Sequence, residues 1–212
     1  PEFLVLYAAG NDGNGVGTII SPATSKSALS VGATGNGGSL ESMTSWSSRG
    51  PTKDGRVGID VTAPGLSVYS VRHSSGVNSC SNTPSTALSY KSGTSMATPV
   101  LAGHVALIRQ YFRTGRYPTG SPVSDNCFIP SAALLKAMTI NSAIRMTGSY
   151  NSGSLPNDKQ GFGRAQLDRT LKFANSTHML AIARDPSNVA GLGDPTLTTG
   201  QQHTYTLCTG NI

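Results

Sequence analysis

The chain has 212 residues, of which 37% are hydrophobic and 12% charged, and its formal net charge is +6 at pH 7. That length suits one domain, or one domain and part of another; no apolar run reaches the ~20 residues that a membrane-spanning helix needs. The basic residues are scattered, with Arg109, Arg113 and Arg116 the closest grouping, which speaks against the clustered basic face of a nucleic-acid reader and for solvated surface charge.

The elements follow in chain order. Phe3 to Ala9 is a continuous apolar run, the pattern of a central parallel strand covered on both faces. A domain seldom starts in mid-core, so an N-terminal portion ahead of Pro1 is expected. The run ends in Gly10-Asn11-Asp12-Gly13-Asn14-Gly15, and ligands of α/β sheets bind beyond the carboxyl ends of strands, so Asn11 falls where a site is expected. No GxGxxG or GK[ST] follows, which removes a phosphate loop. Ala28–Ala33 is a second strand, Met43–Pro51 a strand running into a turn, Val57–Gly65 a strand stopped by Pro-Gly, and Val68–Val71 a brief strand. His73 to Ser89 is polar and irregular.

Ser95 to Phe112 reads as the main helix. Ser95 by itself is an ordinary N-cap hydroxyl, but Gly93 before it allows close approach, and Pro99 is tolerated in the first turn. Together they expose an oxygen beside a positive helix end with free N–H groups, a place to build an oxyanion. Met96, Val100, Leu107, Ile108 and Phe112, with the alanines between them, predict a helix with little polar face in its first turns. A second helix is expected from Ala132 to Arg145, capped by Ser131, then a turn at Asn157–Arg164 and a short helix at Ala165–Phe173. Beyond Ala174, His178–Ala183 and His203–Cys208 read as strands. The fold class is therefore α/β, a parallel sheet with flanking helices over residues 1–174, followed over 175–212 by the start of an antiparallel β domain.

A serine hydroxyl needs a base to become a nucleophile. His104 lies nine positions after Ser95, on the opposite helix face and ~13 Å along the axis, and cannot serve. His73, His178 and His203 have no spacing that recommends them. Cys80, Cys127 and Cys208 form no CxxC pair, which disfavours zinc and fits one disulfide plus an odd thiol in a secreted chain, or three separate buried thiols.

Gly93-Thr94-Ser95-Met96-Ala97-Thr98-Pro99 resembles the serine motif of the subtilisin-like serine proteases. Ala8-Ala9-Gly10-Asn11, Trp46-Ser47-Ser48-Arg49-Gly50-Pro51, Asp60-Val61-Thr62-Ala63-Pro64-Gly65 and Gln160-Gly161-Phe162-Gly163-Arg164 resemble further segments of the same family in the same order. The resemblance implies a serine endopeptidase with Ser95 as nucleophile. Its oxyanion is held by the Asn11 amide and the Ser95 N–H, Ala8, Ala9 and Gly10 wall the pocket for the side chain before the cut bond, and Gly93 and Thr94 complete the substrate-binding stretch. In that family the triad runs Asp, His, Ser, so the Asp and His are expected upstream, and this chain is similar to the C-terminal part of a catalytic domain. Val100 after the motif's proline, with the helix that follows, resembles the branch carrying a C-terminal β-barrel. From the same resemblance Cys80 and Cys127 are expected to pair. Asn175-Ser176-Thr177 is an N-glycosylation pattern if the protein is secreted from a eukaryote. The chemistry requires no cofactor; structural calcium is compatible with the family, with no ligand assigned, and Asp60 and Asp12 read as structural. The expected partners are a peptide or protein substrate and the upstream part of the same protein, and the expected location is extracellular or lumenal. The alternative is a protease-derived structural module whose site is vestigial.

Overall fold

The computed structural model describes residues 3–72, 88–150, 153–182, 185, 198–202 and 204. Its strands are β1 (Leu6–Ala8), β2 (Leu29–Thr34), β3 (Val61–Pro64), β4 (Val68–Val71), β5 (Leu88–Lys91), β6 (Ala143–Ile144) and β7 (Arg164–Ala165), and its α-helices are α1 (Thr94–Arg113) and α2 (Ala132–Asn141). The main sheet has the order β1-β2-β3-β7-β6. β1, β2, β3 and β7 run parallel, and β6 joins β7 antiparallel. β4 and β5 form a separate antiparallel ribbon. This is the α/β architecture expected, a parallel sheet with flanking helices.

β2, an interior strand between β1 and β3, is buried along its whole length. Leu29, Val31 and Ala33, with Val61 and Ala63 of β3, form one face of the core, and α1 lies across β1, β2 and β3 on that side. Ala97, Leu101, Val105, Ile108 and Phe112 supply the buried stripe of α1, spaced three or four residues apart as a one-sided helix requires. The helix is thus amphipathic rather than buried all round: Leu107 stands off the stripe and is 50% exposed. On the opposite face of the sheet Ala9, Ile19, Ala23 and Ile59 make a second, smaller cluster.

Several expectations change once pairing is known. The Phe3–Ala9 run contributes three paired residues, all half-buried, at the edge of the described sheet instead of its centre; an apolar run reports covered faces, not which edges are paired. Met43–Pro51 makes no strand beyond one antiparallel bridge from Met43 to Thr34. Only Val61–Pro64 of the Val57–Gly65 stretch is strand, because Gly58 turns the chain at φ 89°. Leu88 and Ser89, read as irregular, enter β5 by pairing with Val71 and Ser70.

The two later helices are also shorter than read. α2 stops at Asn141, since Ala143 and Ile144 pair with β7. Ala165–Phe173 is no α-helix. Leu167 and Leu171 have helical spacing and one helical bond, Leu171 N–H to the Leu167 carbonyl at 3.0 Å, around a single 3₁₀ turn at Leu167–Arg169. The described part of His178–Ala183 forms no strand; Leu180 and Ile182 pack on the main core instead, and the Asp185 carboxylate accepts the Ser131 N–H at 3.0 Å. Of His203–Cys208 only residue 204 is described. Ser131 does cap α2, its hydroxyl accepting the Leu134 N–H at 3.0 Å. Cys127 carries a free, exposed thiol, so the expected link to Cys80 is not made in this structure; Cys80 and Cys208 lie outside the described residues.

The stripe can be checked by a paired substitution. Leu101→Ala, at a fully buried position, is expected to cost about 2–5 kcal/mol of unfolding free energy through lost burial and a cavity. Leu107→Ala should cost less than about 1 kcal/mol. Urea unfolding of both variants of a soluble form reads the difference, and equal losses would contradict the placement of α1.

Candidate active site

The carboxyl ends of three parallel strands and the N-terminus of α1 meet at one end of the sheet. β1 runs into Ala9, Gly10 and Asn11. β3 runs into Gly65, whose N–H reaches the Thr34 carbonyl at the end of β2 at 3.0 Å. Gly65 in turn accepts the Gly93 N–H at 2.9 Å, which fixes where α1 begins. This junction is tight. A side chain on Gly65 would bring its Cβ to 2.7 Å from the Gly93 carbonyl oxygen and 2.8 Å from the Ala33 Cβ, so only glycine lets strand and helix approach.

Ser95 is not the cap. Gly93 occupies that position without a side-chain bond, and Ser95 is the second helical residue, exposed. The first intrahelical bonds run from Met96 and Ala97 to the Gly93 carbonyl, so the Thr94 and Ser95 N–H groups have no acceptor within the helix. The two are used differently. Thr94 N–H donates to Asn11 Oδ1 at 2.9 Å, and the Thr94 hydroxyl donates to the same oxygen at 3.0 Å. Gly10 N–H donates to that hydroxyl at 3.2 Å.

This pairing settles the direction of the amide. A backbone N–H can only donate, so the atom facing it is the carbonyl oxygen, and the Asn11 NH₂ group is turned outward as a donor. Its nitrogen lies 3.5 Å from where a Cβ on Gly93 would be. The Ser95 backbone nitrogen and the Asn11 NH₂ thereby lie close together, 3.7 and 3.5 Å from that same point, at a helix N-terminus, where partial positive charge favours an anion.

The loop carrying Asn11 is held by the Trp46–Pro51 turn. Ser48 N–H donates to the Gly10 carbonyl at 3.0 Å, and the buried Ser48 hydroxyl accepts the Asp12 N–H at 3.0 Å. Gly13 N–H reaches the Trp46 carbonyl at 2.9 Å, and the Ser47 hydroxyl accepts the Ala33 N–H at 3.1 Å. Gly10 has φ 109°, and a Cβ there would meet Ser48 Oγ at 2.8 Å and Ile20 Cγ1 at 3.1 Å. Four of the five motif segments, 8–11, 46–51, 60–65 and 93–99, are therefore one bonded unit.

The sequence matches the subtilase family over residues 2–163. The chain belongs to the subtilase family. Among curated relatives it is 36% identical over 170 residues to the serine protease/ABC transporter B family protein tagD of Dictyostelium discoideum, a match covering 71% of this chain and 9% of that protein. It is 40% identical over 114 residues to serine protease AprX of Bacillus subtilis, covering 50% of this chain and 26% of AprX. The extracellular protease of Xanthomonas campestris is 38% identical over 116 residues, covering 54% and 17%. Among solved structures, sphericase superimposes with a TM-score of 0.59 at 27% identity, covering 77% of this subtilase chain and 48% of the sphericase chain. The chain thus spans about half of that structure and about a quarter or less of these curated relatives.

The remaining residues of this subtilase fall into place around the junction. Ala9 and Gly10 are buried and Ala8 is half-buried; Ile20 N–H donates to the Ala9 carbonyl at 3.2 Å. Asp60 has the structural part read for it, accepting the Ser30 N–H at 2.8 Å and pairing with Lys136 at 3.0 Å. A cleft of about 640 Å³ lined by Ile20, Thr24, Pro51, Asp54 and Arg56 contains neither Ser95 nor Asn11, both of which are exposed. Among the described residues no cluster of three or more His, Cys, Asp or Glu side chains could hold a metal ion.

Two histidines are described, and neither is placed as a base for Ser95. His178 Nε2 lies 3.1 Å from the Leu171 carbonyl. Leu171 lines a groove with Tyr111, which is sixteen residues and ~24 Å along α1 from Ser95. His104 is half-buried with its Nδ1 enclosed and unpartnered, and burial pulls its pKa below 6.5. What sequence reasoning missed is the use of Thr94 and Ser48 as orienting groups. Their hydroxyls looked like any other in a serine- and threonine-rich chain, and only the glycines beside them hinted at close contact.

His104 makes one pH effect legible. Its folded pKa is depressed, so below about 6.5 the unfolded chain binds the extra proton and the folded chain resists it. The stability contribution is complete above 6.5 and declines as pH falls toward the lowered value. His104→Leu should flatten the slope of unfolding free energy between pH 5 and 7, read in urea titrations; a slope equal to that of the unsubstituted protein would contradict the assignment.

Proposed function

We propose that this chain is the nucleophile-bearing part of a subtilisin-type serine endopeptidase, with the triad Asp and His supplied by upstream sequence of the same protein. The observation that carries this reading is the paired donation from Thr94 to Asn11 Oδ1, which aims the Asn11 NH₂ outward beside Ser95. β1 offers a further support: among the described residues it is an edge of the main sheet, a place where an upstream strand could pair.

In the proposed reaction the Ser95 hydroxyl adds to the carbonyl carbon of a peptide bond and gives its proton to the upstream histidine. The carbonyl π electrons move to oxygen, and the oxyanion accepts hydrogen bonds from Asn11 Nδ2 and the Ser95 N–H. Collapse of this intermediate breaks the C–N bond, the amine leaves with the proton from histidine, and water releases the acyl group from Ser95. Ala8, Ala9 and Gly10 would wall the site for the residue before the cut bond. The donors are fixed before substrate arrives, which is why they stabilise developing charge without reorganising.

Secretion is part of the same proposal. Asn175, in the N-glycosylation pattern, is exposed, and the residues beyond it would open a C-terminal β domain in the complete protein. No cofactor is required by this chemistry. With neither described histidine placed as a base, the 212 residues alone should not hydrolyse peptides.

The complete protein tests the reading. A fluorophosphonate should label it at Ser95 and fail to label Ser95→Ala. Asn11→Ala should lower kcat by about 10²–10³, the scale on which one oxyanion donor acts in a subtilisin, with KM little changed. Thr94→Val, which removes one of two bonds orienting the amide, should lower kcat by up to about tenfold. Absence of labelling, with no hydrolysis, would favour a protease-derived structural module instead.

A further inference from the structure

The fold buries one charge that the proposed chemistry does not use. Arg49 is 6% exposed, and its Nε and Nη2 are enclosed with no hydrogen-bond partner among the described residues. No carboxylate among those residues forms an ion pair with it. What it faces is a ring: its guanidinium carbon lies 5.5 Å from the ring centroid of Tyr150. Burial holds its pKa below the ordinary arginine value. A guanidinium taken out of water without a counter-charge lowers stability, and an aromatic face beneath it returns only part of that. Tyr150 is itself held at φ 63°, a left-handed backbone that a bulky residue keeps only where its surroundings impose it. Two unfavourable features meeting in one contact call for a reason other than stability.

The bonds around Arg49 supply one, because residues 48 and 49 hold both limbs of the Asn11 loop. Ser48 holds the first limb through the Gly10 carbonyl and the Asp12 N–H. Arg49 holds the second: its N–H donates to the Thr18 hydroxyl at 2.9 Å, and its carbonyl accepts the Ile19 N–H at 2.9 Å. The Thr18 hydroxyl donates in turn to the Gly13 carbonyl at 2.9 Å, which closes the loop between its limbs. Tyr150, on the other side of the contact, follows a segment tied to residues 41–43. Gly148 N–H reaches the Glu41 carbonyl at 2.8 Å, Met43 N–H the Ser149 carbonyl at 3.1 Å, and Ser149 N–H the Ser42 hydroxyl at 3.0 Å. Met43 bridges to Thr34 at the end of β2. The ring contact therefore joins the Asn11 loop, through Arg49, to a segment anchored on the sheet.

We propose that Arg49, seated on Tyr150, is a positioning residue for the oxyanion donor. Thr94 turns the Asn11 amide, and the Arg49–Tyr150 contact fixes the loop that carries it, so that Nδ2 keeps its distance from the Ser95 N–H. A displacement of about 1 Å in such a donor is enough to slow the reaction. The inference rests on Ser95 being the nucleophile and Asn11 an oxyanion donor.

The test measures kcat and KM on the complete protein with one internally quenched peptide, active sites being counted by fluorophosphonate titration. Arg49→Met and Tyr150→Leu should each lower kcat about five- to tenfold with KM within about twofold, the scale of one desolvated cation–ring contact. The double variant should lose no more than either single one, because both remove the same contact. Tyr150→Phe, which keeps the ring, should stay within about twofold of the unsubstituted enzyme. Arg49→Met should not lower the melting temperature, since it removes an unpaired buried charge. An unchanged kcat in Arg49→Met overturns the proposal, and so does a raised KM at constant kcat or a double variant whose losses multiply. A lowered melting temperature with full activity per active site would make the contact structural only. Full activity in both Arg49→Lys and Tyr150→Leu, with a loss in Arg49→Met, would assign the effect to charge and also overturn it. If Arg49→Met does not fold, Tyr150→Leu, at a position 49% exposed, decides the matter with Tyr150→Phe as its control. Failure of the catalytic reading looks different: the unsubstituted enzyme cuts no peptide and takes no label, and this inference falls with it.

Discussion

The site depends on one amide oxygen receiving two hydrogen bonds from a single residue. Thr94 gives Asn11 Oδ1 both its backbone N–H and its hydroxyl, and the hydroxyl itself accepts from Gly10 N–H. The loop after β1 and the first turn of α1 are thereby joined across 83 residues of sequence. The consequence is directional: an asparagine left to itself presents oxygen or nitrogen to solvent, whereas this one has only the NH₂ to offer. The same bond consumes one of the first-turn donors of α1 and leaves its neighbour, the Ser95 N–H, for an anion.

That geometry needs α1 to begin at one height above the sheet, and packing sets the height. The buried stripe from Ala97 to Phe112 presses α1 onto β2 and β3, and each large aliphatic side chain it buries contributes about 1.5–3 kcal/mol. The stripe alone would allow sliding along the sheet. Gly65 removes that freedom, because its missing side chain admits the Gly93 carbonyl and the Ala97 methyl together. Apolar burial thus supplies the stability, and a steric contact at one glycine supplies the position.

Much of this was legible in the residues. The apolar alternation and turn residues located β2, β4 and α1, and Ser131 marked the start of α2 where the structure has it. The serine and asparagine stood out because each lies within two residues of a glycine at one terminus of an apolar element. Less legible were elements whose identity is conferred by a partner. Leu167 and Leu171 have helical spacing, yet the segment follows the β7 strand because Ala165 pairs with Ala143. Leu88 and Ser89 are strand only because Val71 and Ser70 lie opposite.

By itself the sequence determined the chemistry on offer: a hydroxyl at a helix start, an amide at a strand end, and the glycines that let both approach closely. These follow from local rules, since capping, turn formation and burial periodicity act over a few residues. Only the tertiary structure decided that Gly93, not Ser95, caps the helix, that Thr94 turns the Asn11 amide, and that Tyr69 and Tyr90 stack across a ribbon. Each of these depends on a contact between residues far apart in the chain, and a hydrogen bond or a ring contact of that range has no local signature to read.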